Sequence, residues 1–78
     1  MSVTLYVALP FVRTEAGDLV ADEGIQVQSA TAALSKARHL SAIYAGVIAF
    51  SRTGDPTIGD FRPAVILASY GETPDKVE

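Results

Sequence analysis

The chain predicts an α+β domain of order ββαββ, with one helix packed on one face of a four-stranded, mainly antiparallel sheet. Three observations lead there. Val3 to Val12 alternates two sets of side chains, Ala30 to Leu40 changes to a period of about three and a half residues, and two short apolar runs flank a polar stretch. Those runs, Gly46-Val47-Ile48-Ala49-Phe50 and Ala64-Val65-Ile66-Leu67-Ala68, are too short for amphipathic helices and rich in β-branched residues. They read as a hairpin whose strands are apolar on both faces, so both faces call for cover.

The first strand sets Val3, Leu5, Val7, Leu9 and Phe11 on one side and Thr4, Tyr6, Ala8, Pro10 and Val12 on the other. Pro10 has no N–H for a ladder, which places it at an edge, a bulge or a frayed end. Thr14-Glu15-Ala16-Gly17-Asp18 reads as a turn, with Gly17 free to take a positive φ. The second strand is irregular. Leu19 to Ala21 continues the apolar pattern, Asp22-Glu23-Gly24 interrupts it, and Ile25-Gln26-Val27-Gln28 resumes it, which predicts a bulge near Gly24.

Ser29 has the hydroxyl of a helix N-cap. The stripe Ala30, Ala33, Leu34, Ala37 and Leu40, extended by Ser41 and Tyr44, faces the core, with Thr31, Ser35, Lys36, Arg38 and His39 opposite. Ile43 falls off the stripe, so the helix ends near Ser41 or Ala42 and the third strand begins at about Ala45. A right-handed crossover is expected here. Ser51 to Asp60 reads as a long hairpin loop, with Asp55-Pro56 opening a type I turn and Gly59 supplying a left-handed residue. Pro63 leads into the fourth strand. Residues 1–72 form a single domain on this reading, and 73–78 a flexible tail.

A chain of 78 residues is small enough that a single core is thin, and without cysteine it has no disulfide or thiolate metal site to reinforce it. Packing or a partner subunit must do that instead. The cysteine count favours a reducing compartment, no stretch approaches the roughly 18 apolar residues of a membrane span, and Met1-Ser2-Val3-Thr4-Leu5 lacks the features of a signal peptide. A cytoplasmic protein without membrane contact is expected. The net charge of −3, with six Lys and Arg spread along the chain, provides no basic stripe for phosphates and argues against nucleic-acid binding.

Catalytic chemistry has few candidates. His39 is the one histidine, on the polar face of the helix, where it reads as a solvated surface residue unless another subunit packs there. Asp55 and Asp60 lack the ligand spacing of a calcium loop and read as turn residues. Gly54 and Gly59 are not followed by the Lys-Ser or Lys-Thr of a phosphate loop. Arg52 and Arg62 are brought together by the hairpin, so with His39 they are the candidate polar groups of an anionic-ligand site. Surface pairing with Asp55, Asp60 or Glu72 is the plainer reading of the two arginines. No catalytic residue, metal or cofactor is assigned.

The segment Ala49-Phe50-Ser51-Arg52-Thr53-Gly54-Asp55-Pro56, with Gly59-Asp60-Phe61 and the apolar strand after it, resembles small uncharacterised proteins of bacteria, proteobacteria in particular. The resemblance covers the C-terminal half and implies no activity or binding residue. The β-α-β portion from Ile25 to Phe50 is also similar to the peptidoglycan-binding SPOR domain, from which the chain departs in lacking a second βαβ unit and an export signal.

One alanine-lined helix shields one face of a sheet apolar on both. The sequence therefore predicts a homodimer or higher oligomer, a non-enzymatic interaction or regulatory module whose contact surface includes Val47, Ala49, Val65 and Leu67. The alternatives are a small anionic-ligand-binding protein or minor enzyme with a site between subunits, and a nucleic-acid-binding protein.

Overall fold

In the computed structural model, which describes residues 2–73, one helix lies on a curled antiparallel sheet. The elements are β1 (Val3–Arg13), β2 (Leu19–Ala21), β3 (Ile25–Val27), α1 (Ala30–Leu40), β4 (Gly46–Asp55), β5 (Asp60–Phe61) and β6 (Val65–Gly71). The long strands β1 and β4 form the centre, in a register that sets Val3 opposite Gly54 and Phe11 opposite Gly46. β2 and β3 follow one another along the outer side of β1, and β5 and β6 do the same along β4. The expected second strand is therefore split in two, and a short strand, β5, forms ahead of the expected fourth.

The split has a backbone cause. Pro10 lies inside β1, buried, with Val47 opposite it in β4, instead of at an edge or a frayed end. Its carbonyl accepts from the Asp22 N–H at 2.9 Å. In an antiparallel ladder the N–H and C=O of one residue point to the same neighbour, so the missing donor faces the gap between Ala21 and Ile25. The interruption expected near Gly24 is where proline leaves the second ribbon without a donor. β5 and β6 are separated by Arg62-Pro63-Ala64, again at a proline.

β4 is longer than the sequence pattern indicated. Ser51 to Asp55, expected as loop, continue the strand, because the first residues of β1 extend alongside them and supply partners for their backbone groups. The turn is confined to residues 56–59. Its chemistry is as expected: Asp55 Oδ1 accepts from the Thr57 N–H at 2.9 Å, and Gly59 has φ +68°. Thr57 Oγ1 donates to the same oxygen at 2.6 Å.

Ser29 caps the helix, its Oγ accepting from the Ala32 N–H at 3.1 Å. β3 and β4 both run antiparallel to β1 on opposite sides of it, so α1 carries the chain across β1 between two mutually parallel strands. Ala33, Ala37 and Leu40 pack on Ala8, Val47 and Ala49, with Tyr6, Ile25, Val27, Tyr44, Leu67 and Tyr70 around them. Alanine against alanine lets helix and sheet approach closely. It also limits the gain, on the order of 0.8 kcal/mol per buried carbon. Of the residues expected in the tail, 74–78 lie outside those described.

Candidate interaction surface

Successive side chains of a strand point to opposite faces. Since Ala8, Val47 and Ala49 lie under the helix, their neighbours Val7, Leu9, Ile48 and Phe50 lie on the other face. The β1–β4 register aligns them in rows, Leu9 opposite Ile48 and Val7 opposite Phe50, and Phe50 has Ile66 opposite it in β6. Leu5 and Val3 extend the apolar surface towards one end and Phe11 towards the other. No helix or second sheet among the described residues covers this face.

The face is bounded at both ends by the chain itself. A side-chain carbon added at Gly54 would meet the Phe61 ring, and one added at Gly46 would meet the backbone of Glu72, so these two residues close over the ends of β4. The curl of the sheet shelters its floor: Ile48 is 3% exposed and Phe11 5%. Leu5, Val7, Leu9 and Phe50 remain half-buried, and Ile66 at the rim is 50% exposed. Gln26, Arg52 and Ser69 supply the polar groups of this side, at its margins.

Of the expected contact residues, Val47, Ala49 and Leu67 lie on the helix side of the sheet and not on the uncovered face. Val47 and Ala49 are fully buried under α1, and Leu67 packs against the same cluster. Val65 alone of the four is exposed, at 59%. The reason is the identity of the face the helix selects. A helix lined by alanine settles on the smaller side chains of β1 and β4, and this leaves the larger set, Leu5, Val7, Leu9, Ile48 and Phe50, uncovered.

The three candidate ligand residues do not converge. Arg52 and Arg62 are neighbours as expected, but the contact is structural, Arg52 Nε donating to the Arg62 carbonyl at 3.1 Å. Arg52 also lines a shallow depression of about 410 Å³ with Leu5, Gly59 and Phe61. His39 is exposed on α1, across the sheet from Arg52.

An ion pair joins Arg13 to Glu72. Arg13 Nη2 donates to Glu72 Oε1 at 3.0 Å and Nε to Oε2 at 3.3 Å, while Nη1 donates to the Gly17 carbonyl. This fork ties the end of β1 and its turn to the residue after β6. Sequence reasoning assigned Glu72 to Arg52 or Arg62; the antiparallel register, which brings the C-terminal ends of β1 and β6 together through β4, was the missing signal. Hydrogen bonding and the adjacent positive charge of Arg13 hold the Glu72 carboxyl below its ordinary value. The Thr57 hydroxyl and N–H do the same for Asp55.

A carboxylate with a depressed folded-state pKa stabilises the fold above its unfolded pKa, and that contribution disappears as pH falls through the folded value. Both Glu72 and its partner are solvated, so the effect is small. Glu72→Gln is expected to lower the melting temperature at pH 7 and to leave it unchanged at pH values where the wild-type carboxyl is protonated. Melting curves of the two proteins across the acid range check this; a constant difference at every pH would contradict it.

Among the described residues no helix is long and apolar enough to cross a membrane. No protein-family model matches the chain, and neither a curated protein nor a solved structure does.

Proposed function

We propose that the chain is a small cytoplasmic interaction or regulatory module without catalytic activity, working as a homo-oligomer in which the uncovered sheet face of one copy packs on that of another. The observation that carries this reading is the apolar surface of Leu5, Val7, Leu9, Phe50 and Ile66 on the side away from the helix. The four-ribbon ββαββ description belongs to the same reading, with β2 and β3 as one interrupted ribbon and β5 and β6 as another.

Stability supports it. Among the described residues the buried hydrophobic core is Ala8, Phe11, Ala33, Ala37, Leu40, Val47, Ile48 and Ala49, and half of these are alanine. A domain of this size is expected to be stable by only ~0.05–0.15 kcal/mol per residue, and its helix-side core is poor in large side chains. Covering the second face adds a layer built from larger ones. The face is also suited to a copy of itself, because a two-fold axis through Val7 and Phe50 sets apolar rows on apolar rows and keeps the arginines at the margins.

Sedimentation equilibrium of the purified chain at micromolar concentrations tests the proposal. A mass of two or more chains is expected, falling on dilution, and a single-chain mass throughout would overturn it.

A further inference from the structure

We propose that the depression beside Arg52 is a binding site for a small aromatic carboxylate, whose oxygens meet the end of the guanidinium and whose ring lies against Phe61. The depression, about 410 Å³ in volume, is lined by Leu5, Arg52, Gly59 and Phe61. Sites for small molecules have volumes of roughly 300–1,000 Å³. It lies at one end of the uncovered face. Leu5 and Arg52 are opposite one another in β1 and β4, and Phe61 stands opposite Gly54, the next residue of β4 on that face. Gly54 has no side chain, and a carbon added there would meet the Phe61 ring. The ring therefore lies over the strand and walls the depression.

Arg52 is prepared for an anion. Its Nε donates to the Arg62 carbonyl at 3.1 Å, which fixes one edge of the guanidinium plane. Among the described residues no acceptor meets Nη1 or Nη2. These two nitrogens are the end of the fork, where two parallel N–H donors match the spacing of carboxylate oxygens. The carboxylates of the chain do not compete for them. Asp55 and Asp60 pair with each other one residue along from Gly54 and Phe61, so alternation sends both to the helix side. Glu72 lies beyond the other end of β4, bound by Arg13.

The lining also selects the class of anion. Arg62 would be the second cation of a phosphate site, but its N–H donates to the Thr53 carbonyl at 2.8 Å. That bond continues the β4–β5 register and turns the Arg62 side chain to the helix side. One guanidinium is left, which matches one negative charge. Leu5 and Phe61 are apolar and half-buried, so the remainder of the ligand is apolar as well. A shallow site with an aromatic wall suits a flat ring, stacked offset or edge-to-face.

This site goes beyond the self-association proposed above and stands without it. Leu5 is common to both surfaces, so binding and mass are read in the same samples.

Benzoate is the probe, titrated into the isotopically labelled full chain and followed by nuclear magnetic resonance. Saturable shifts are expected at the Arg52 Nε–H, the Gly59 N–H and the Phe61 ring, with a dissociation constant on the order of 1 mM. Benzamide has the ring without the charge, and inorganic phosphate has the charge without the ring. Each is expected to bind at least about tenfold more weakly than benzoate. Arg52→Gln is expected to abolish saturable binding. Arg52→Lys keeps the charge without the fork; it is expected to weaken binding at least about fivefold and serves if the glutamine variant does not fold. Shifts that grow without saturating, benzamide bound as well as benzoate, or benzoate binding unchanged in both variants would overturn the proposal. Phosphate bound as tightly as benzoate would overturn it too, by showing a bare anion contact. Sedimentation of the same samples keeps the two proposals apart. Benzoate bound to a chain of single-chain mass retains the site and removes the face contact, whereas an oligomer that takes up no benzoate does the reverse.

Discussion

Gly46→Ala is expected to destabilise the domain by at least about 3 kcal/mol, beyond the usual range for overpacking. The added carbon would fall inside the Glu72 carbonyl and against its N and C atoms, all of them backbone. Backbone cannot rotate away as a side chain can, so relief requires the end of β6 to lift from β4. That movement would break the Glu72 N–H bond to Ala45 and pull on the Arg13–Glu72 fork. Gly59→Ala is the control. Gly59 has φ +68° with nothing within 4 Å of an added carbon, so its cost is conformational only, about 1 kcal/mol. Urea denaturation of both variants checks the contrast, and equal midpoints would show that Glu72 does not cross Gly46 as described.

Val7→Lys is expected to weaken self-association by at least about 100-fold, because a lysine in the middle of a face-to-face contact must lose its hydration without a partner charge. Val7 lies between Leu9 and Leu5 along β1 and opposite Phe50 in β4. In the single chain the substitution is tolerable, since the aliphatic stem lies along the apolar face with its ammonium in water. Dilution experiments followed by sedimentation, with circular dichroism to establish that the variant is folded, check this. An unchanged dissociation constant would place the contact elsewhere.

Much of the architecture was legible because local chemistry and global fold agree. Ser29 announces the helix start, Asp55-Pro56 and Gly59 the second hairpin turn, Gly17 the first, and the alternation of Val3 to Val12 the central strand. What was hidden is non-local. Pro10 read as an edge or end residue because proline removes a donor, yet a central strand tolerates it where the neighbouring ribbon is interrupted. The polarity of Ser51 to Asp55 reads as the end of a strand, whereas their pairing with β1 supplies the reason to continue.

The candidate surface shows the same division. That one sheet face would go uncovered follows from a single alanine-lined helix and two doubly apolar strands. Which face it would be does not, because parity along β4 is equally apolar either way. The preference of Ala33 and Ala37 for Ala8 and Ala49 decides it, and it leaves Val7, Leu9 and Phe50, in place of Val47 and Ala49, on the uncovered face. Arg52 and Arg62 were rightly brought together, but as a backbone contact and apart from His39.

Contacts between copies on the uncovered face can be detected directly. In a sample mixed from isotopically labelled and unlabelled chains, filtered nuclear Overhauser spectra report only on hydrogens that lie close across a subunit boundary. Such cross-peaks are expected from the methyl groups of Val7 and Leu9 and the ring of Phe50, and none from Val47 or Ala49 beneath the helix. Cross-peaks from the helix side alone, or none at any concentration, would contradict face-to-face packing.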